Sequence, residues 1–78
     1  MSTAELERLS LLSEVVEKVA GVAAGEVRPE RSFIEDLGLD SLAMVAVVFT
    51  LEETIGVDIS EEALAGVKTV QDLLELIS

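Results

Sequence analysis

The first quarter of the chain alternates apolar and charged positions with a helical period. Apolar residues recur there at steps of three and four and would share one face of a helix: Leu6, Leu9, Leu12, Val16, Val19 and Ala20. Ser2 and Glu5 have the spacing of a capping box, in which the serine side chain begins the helix. Gly21 is suited to end it. The pattern predicts an amphipathic helix over residues 3–20.

Residues 22–40 have no regular period and are punctuated by Gly25, Pro29 and Gly38. Ser32 followed by Glu35 predicts one short helical turn over residues 33–37. The segment also contains apolar residues that do not suit a solvated linker: Phe33, Ile34, Leu37 and Leu39. Long connections in compact domains are typically functional or disordered. The apolar residues favour a functional loop that packs across the core.

Residues 42–49 form an unbroken apolar run, Leu-Ala-Met-Val-Ala-Val-Val-Phe. Propensity alone would allow a strand over residues 45–49. A helix over residues 41–55 is favoured, because Asp40 is a good helix cap, the run lacks alternation, and Gly56 follows as a helix-ending residue. A helix that is apolar all round is expected to be central. Its exposed part is predicted to be the small apolar surface of Ala43, Met44 and Ala46.

The last third of the chain predicts two further helices, over residues 60–65 and 69–77. Ser60 begins the first and Gly66 closes it, and Thr69 with Asp72 forms a second capping box. One side of the final helix is apolar: Val70, Leu73, Leu74 and Ile77. The prediction is an all-α, single-domain four-helix bundle over residues 1–78, with a short third helix and a long loop between the first two.

The net charge of −11 is concentrated in the second half of the chain. Residues 1–34 carry six acids and four bases, net −2, whereas residues 35–78 carry ten acids and the single base Lys68, net −9. This argues against nucleic acid as a partner, since phosphate binding needs cationic patches. Acidic surfaces serve solubility, and they also steer association toward basic partner surfaces. Both explanations remain open.

Composition narrows the class of protein further. The longest apolar run is far too short to span a bilayer, and no secretory signal pattern begins the chain. Membrane association is therefore not expected. We expect a monomeric, cytoplasmic protein. There is no cysteine or histidine. Neither Asp36 nor Asp40 begins a calcium-binding EF-hand loop, because the twelfth positions are Val47 and Leu51, so no metal site is predicted.

Ser41 carries a hydroxyl that the predicted helix start does not require. Gly38 permits a tight turn, Asp40 caps the next helix, and Ser41 falls on its first turn, at the positive end of the helix dipole. A nucleophilic serine needs a base such as His or Lys beside it. The chain has no His, and its lysines lie in other segments, so it is not expected to be an enzyme. Ser41 is instead predicted to be a substrate for another enzyme.

The segment Phe33-Ile34-Glu35-Asp36-Leu37-Gly38-Leu39-Asp40-Ser41-Leu42 resembles the phosphopantetheine attachment segment of acyl carrier proteins. The resemblance continues through Val45, residues 51–53 and 56–59, and residues 68–74, so it covers nearly the whole chain. It implies that Ser41, flanked by Asp40 and Leu42, carries a covalent 4'-phosphopantetheine arm added from coenzyme A by a phosphopantetheinyl transferase. The arm's thiol would hold acyl groups for fatty-acid or polyketide biosynthesis.

The resemblance also implies docking of acyl- or ketosynthase-type enzymes through basic surfaces. The residues expected to take part are Glu35, Asp36, Met44, Glu52 and Glu53. The chain departs from the family at Ala46, where an acidic residue is common. Surface drift and a specialised partner set explain this equally well.

Two other functions are open from the sequence. Peptidyl carriers of nonribosomal pathways share the fold, but they usually have a Gly-Gly-x-Ser pattern at the attachment loop, where this chain has Gly38-Leu39-Asp40-Ser41. The second alternative is an acidic helical interaction module without a prosthetic group, in which Ser41 only supports a helix start. In that case Ser41→Ala would chiefly cost stability.

Overall fold

The computed structural model describes residues 2–77 and contains four α-helices. These are α1 (Thr3–Ala20), α2 (Ser41–Ile55), α3 (Glu61–Ala65) and α4 (Val70–Ile77), with a 3₁₀ turn at Ala24–Glu26 in the long α1–α2 loop. No strand is present in this part of the chain, and one isolated antiparallel bridge joins Ser32 to Thr69. The predicted all-α fold with a short third helix is confirmed. The apolar run at 45–49 is helical.

The helices begin at side-chain caps that the sequence pattern identified. The backbone N–H of Glu5 donates to Ser2 Oγ (3.2 Å), and that of Ala63 donates to Ser60 Oγ (3.1 Å). The predicted ranges 60–65 and 69–77 included the capping residues Ser60 and Thr69, whereas α3 and α4 themselves begin one residue later. These caps satisfy N–H groups that have no partner inside the helix.

The α1–α2 loop is tied to the start of α4 by backbone hydrogen bonds. The N–H of Phe33 donates to the carbonyl of Lys68 (3.0 Å), and the N–H groups of Val70 and Gln71 donate to the carbonyls of Arg31 and Pro29 (both 2.9 Å). The first N–H groups of α4 are thus satisfied by loop carbonyls. The loop is held in place by this ladder as well as by its apolar side chains.

The core lies between α1, α2 and α4, with the loop closing one side. Its fully buried side chains come from all four parts: Leu12, Val16, Phe33, Val47, Leu51, Val70 and Leu73. Leu39 is also buried, as predicted, but Ile34 is 61% exposed and Leu6 is 52% exposed. The predicted turn over residues 33–37 is present as a single hydrogen-bonded turn that does not continue into a helix. The N–H groups of Asp36 and Leu37 donate to the Ser32 carbonyl, and that of Glu35 donates to Ser32 Oγ.

The central position predicted for α2 is only half correct. One side of the helix is buried, through Met44, Val47, Val48 and Leu51. The opposite side leaves large apolar side chains in solvent, namely Leu42, Val45 and Phe49. None of the helices formed by residues 2–77 combines the length and apolar character needed to cross a bilayer.

Candidate functional site

The loop that enters α2 fixes the backbone on which Ser41 sits. Gly38 has a φ of +73°, which is in the left-handed region that favours glycine. The N–H of Leu39 donates to the carbonyl of Phe33 (2.9 Å), and the Leu39 side chain is 4% exposed, so the chain is anchored immediately before the site. Asp40 is extended, and Ser41 is the first residue of α2.

Asp40 alone supplies the cap of α2. Its Oδ1 accepts a hydrogen bond from the N–H of Ala43 (2.8 Å), and its carbonyl accepts from the N–H of Met44 (3.0 Å). Ser41 takes no part in this capping. Its side chain is exposed, and its hydroxyl makes no hydrogen bond within residues 2–77. The Ser41 hydroxyl therefore has no structural task of its own.

The other serines make the contrast clear. Most have a hydroxyl engaged in a local hydrogen bond, namely Ser2, Ser13, Ser32 and Ser60. Among the other serines within residues 2–77, Ser10 is the exception, since it is exposed in the middle of α1 with no hydrogen bond from its hydroxyl to a described residue. Unlike Ser41, Ser10 is not at a helix start and does not line the cavity beside Ser41. Ser10 is therefore a control for the effect of solvent exposure by itself on modification of a serine.

The start of α2 suits an anion bonded to Ser41 Oγ. The first N–H groups of a helix have no intrahelical acceptor and lie at the positive end of the dipole. Asp40 engages that of Ala43, which leaves those of Ser41 and Leu42 for another acceptor. Phosphate groups are commonly bound in this setting. A phosphodiester on Ser41 would therefore be electrostatically compatible with the helix end.

A cavity of about 300 Å³ lies directly beside Ser41. Its walls come from the α1–α2 loop, α2, α3 and the α3–α4 connection, and they are largely apolar: Phe33, Ile34, Met44, Val45, Leu64, Ala65 and Val67. Ser41 and Lys68 are its two polar lining residues. An apolar chain attached to Ser41 could enter this space without leaving polar groups unpaired. The walls thus fit the methylene groups of a long arm, whose amide and hydroxyl groups would stay in contact with water.

Comparison with known proteins adds the family. The family model described as "Phosphopantetheine attachment site" matches residues 10–77, and the acyl carrier protein of Thermobifida fusca is 43% identical over 77 residues, which cover 99% of this chain and 98% of the relative. The chain belongs to the acyl carrier protein family. A meromycolate extension acyl carrier protein of Mycolicibacterium aurum is 42% identical over 77 residues, covering 99% and 79%.

The fold comparison agrees with this assignment. The crystal structure of an acyl carrier protein from Thermotoga maritima superposes with a TM-score of 0.86, over 96% of this chain and 87% of the other, at 23% sequence identity. At 23% identity, this similarity shows that the two proteins share the helical fold. The resemblance drawn from the attachment segment is confirmed at the level of the family, which consists of non-catalytic carriers.

For an acyl carrier protein, the placement of the predicted docking residues matters next. Glu35 and Glu53 are exposed, as a docking role requires. Asp36 is exposed too, but its Oδ2 accepts a hydrogen bond from the N–H of Ser32 (2.7 Å). Glu52 is half-buried, and its Oε2 accepts from the N–H of Ile59 (3.1 Å). Two of the four carboxylates therefore also hold loops of this carrier in place.

The exposure predicted for Met44 is wrong. Met44 is 8% exposed, packs in the core and lines the Ser41 cavity, so it is not available on the outer face of α2. Ala43 and Ala46 are half-buried. Positions one turn apart lie on the same side of a helix, and Met44 belongs to the side formed with Val47, Val48 and Leu51. An unbroken apolar run gives no sign of which side that is.

Sequence reasoning missed the apolar residues that α2 does expose. Leu42, Val45 and Phe49 are 81%, 57% and 60% exposed and follow one another at steps of three and four, so they form one stripe along the helix. We call these three residues the outer stripe. It begins next to Ser41 and runs two turns away from it. Large apolar side chains grouped on a surface typically mark an interaction site.

Proposed function

We propose that this protein carries acyl groups as thioesters on a 4'-phosphopantetheine arm bonded to Ser41 Oγ. The observation that carries the proposal is the hydroxyl of Ser41. It is exposed on the first turn of α2, free of any hydrogen bond to a described residue, and beside an apolar cavity, in a chain of the acyl carrier protein family. The thiol of the bound arm would supply the thioester chemistry.

The modification itself would be performed by a phosphopantetheinyl transferase. Ser41 Oγ would attack the β-phosphorus of coenzyme A, so that an O–P bond forms and the bond to the departing adenosine 3',5'-bisphosphate breaks. The serine proton must go to a base of the transferase, because the chain has no histidine and Ser41 hydrogen-bonds no basic side chain of residues 2–77. In this scheme Asp40 keeps the helix start in place.

We propose fatty-acid biosynthesis as the pathway. The support comes from the meromycolate extension carriers among the relatives and from the apolar walls of the Ser41 cavity, which suit an alkyl chain. The space of about 300 Å³ corresponds to roughly ten water-sized groups, at ~30 Å³ each. An alkyl chain of more than about ten carbons would therefore enter it only in part, and the remainder would stay accessible to partner enzymes.

We also propose that partner enzymes dock over the outer stripe of Leu42, Val45 and Phe49. Glu35 and Glu53 would contribute the acidic part of the contact, and the partner would present basic groups around an apolar recess. Apolar contact of this kind affects mainly the dissociation rate, and charged groups affect mainly the association rate. The charge of −11 opposes self-association, which supports a monomeric carrier.

The test is enzymatic labelling followed by mass spectrometry. With coenzyme A and a broad-specificity transferase, the wild-type protein should gain one phosphopantetheine mass, Ser41→Ala should gain none, and Ser10→Ala should be labelled like wild type. Ser41→Ala should stay folded by circular dichroism, because the cap of α2 comes from Asp40. An unlabelled wild-type protein beside a labelled control carrier, or a label that survives Ser41→Ala, would refute the proposal.

A further inference from the structure

Lys68 occupies a fixed place on the connection between α3 and α4. Its N–H donates to Asp72 Oδ2 (3.0 Å), and its carbonyl accepts from the N–H of Phe33 (3.0 Å). The backbone is thus held from both sides, by the first turn of α4 and by the α1–α2 loop. Its side chain is exposed and is the only basic one in residues 35–78.

Two neighbouring cavities share Lys68 as a wall. The first is the Ser41 cavity. The second, of about 380 Å³, lies between the turn at residues 32–35 and the α3–α4 connection. Ile34, Val67 and Lys68 line both cavities. A chain that extends from Ser41 through the first cavity into the second therefore passes the shared wall of Ile34, Val67 and Lys68.

The charge of Lys68 is not neutralised by an ion pair. Within residues 2–77, Arg31 and Glu26 form an ion pair (3.6 Å). No carboxylate oxygen lies within 4.0 Å of the Lys68 ammonium nitrogen in the same residues. Asp72 attracts this charge without forming an ion pair with it, and its Oδ2 accepts the backbone N–H groups of Lys68 and Thr69. Glu35 lines the second cavity together with Lys68 but forms no ion pair with it. The ammonium group can therefore still take an anion as a direct partner.

That anion would not be the phosphodiester of the arm. Attached to Ser41 Oγ, the phosphodiester would lie at the start of α2, where the helix offers unpaired N–H groups. Lys68 is on another wall of the cavity, on the α3–α4 connection. Beyond its phosphodiester, a pantetheine arm carries no charge. An anion that reaches Lys68 across the cavity would belong to the acyl group.

We propose that Lys68 is a recognition residue for acyl groups that bear a carboxylate, such as a malonyl-type extender unit. The inference rests on the proposed attachment at Ser41. The carboxylate of the cargo would pair with the Lys68 ammonium, where the rest of this half of the protein is strongly negative. A plain alkyl acyl group gains nothing from Lys68. For a partly exposed pair we expect a preference of about two- to fivefold.

The experiment compares three cargoes of similar size on the same protein. The arm is loaded from the corresponding coenzyme A derivatives with acetyl, malonyl, and the uncharged amide of malonyl, and each product is verified by mass. NMR then measures the Lys68 side-chain signals and the exchange rate of its ammonium protons. In the malonyl form that exchange should slow about two- to fivefold, with unchanged rates in the other two forms. The Ile34 and Val67 methyl signals should move in the malonyl form as well.

Two variants separate recognition from structure. Lys68→Met keeps an apolar stem on the cavity wall and both backbone hydrogen bonds, and it should abolish the methyl shifts specific to malonyl. Lys18→Met, which removes an exposed lysine from α1, should retain them.

The outcomes that overturn the proposal are distinct. Equal Lys68 signals in the malonyl, amide and acetyl forms would refute it. A slowing already complete in the unacylated arm would assign Lys68 to the phosphodiester and would also refute it. Absence of any mass gain at Ser41 would instead refute the proposed function, and this inference with it.

Discussion

Met44 and Phe49 offer a test of the two sides of α2 within one helix. Met44 is 8% exposed and belongs to the core, whereas Phe49 is 60% exposed on the outer stripe. Truncation of a buried methionine to alanine costs about 2–5 kcal/mol. A core as small as this one typically supplies only ~3–5 kcal/mol. Met44→Ala should therefore unfold a large fraction of the protein, while the volume-conserving Met44→Leu should cost under ~1.5 kcal/mol.

Phe49→Ala should act mainly on partner binding. A fully buried aromatic side chain covers roughly 150–250 Å², so the exposed three-fifths of Phe49 corresponds to about 90–150 Å². At ~25 cal/mol per Å², its burial against a partner is worth at most about 2–4 kcal/mol. The two-fifths of the Phe49 side chain that is already buried determines how much the substitution lowers the free energy of unfolding. By the same conversion this loss is at most ~1.5–2.5 kcal/mol. The protein should remain folded.

The assay pairs urea unfolding with the kinetics of labelling at Ser41. We expect Met44→Ala to lower the free energy of unfolding by at least ~2 kcal/mol. We expect Phe49→Ala to lower kcat/KM for the transferase by roughly tenfold, equivalent to about 1.4 kcal/mol of lost contact, in a protein that is still folded. Phe49 is two turns from Ser41, so the loss would not reflect damage at the hydroxyl. A Met44→Ala protein as stable as wild type, or an unchanged kcat/KM in folded Phe49→Ala, would contradict the assignment of the two sides.

Two further predictions concern caps. Asp40→Ala removes the bond to the Ala43 N–H and should cost about 1 kcal/mol, a fall in Tm of roughly 4–8 °C. Asp40→Asn keeps an acceptor and, in salt that screens the helix dipole, should lose only ~0.3 kcal/mol. Equal losses in thermal melts would show that the charge, not the bond, is responsible. The backbone N–H groups of Lys68 and then Thr69 donate to the Asp72 carboxylate and lower its pKa below the usual value of an aspartate. The carboxylate therefore stabilises the fold above the usual aspartate pKa, and the contribution is lost as the pH falls through the lowered pKa. Urea unfolding should show Asp72→Asn less stable than wild type at pH 6, with a gap that narrows in acid; a gap independent of pH would contradict this.

Local features of the fold were predictable because they depend on residues close together in the chain. The caps at Ser2, Asp40 and Ser60 and the helix end at Gly21 follow from side chains reaching N–H groups three positions away or from one backbone angle. The unusual setting of Ser41 followed from the same kind of reasoning. Its hydroxyl stands on a helix start that another residue caps, in a chain without a histidine.

Only the tertiary structure decided which side of each apolar segment is buried. In the run from Leu42 to Phe49 every position is apolar, so the pattern could not separate buried Met44 from exposed Phe49, and the packing of α1 and the loop against α2 makes that choice. In the sequence, Lys68 is distinguished only as the single base of residues 35–78. Its place between two cavities depends on a backbone hydrogen bond from Phe33, about thirty-five residues away in the sequence. Contacts over such separations leave no periodic trace in the chain, since each partner alone is compatible with many positions.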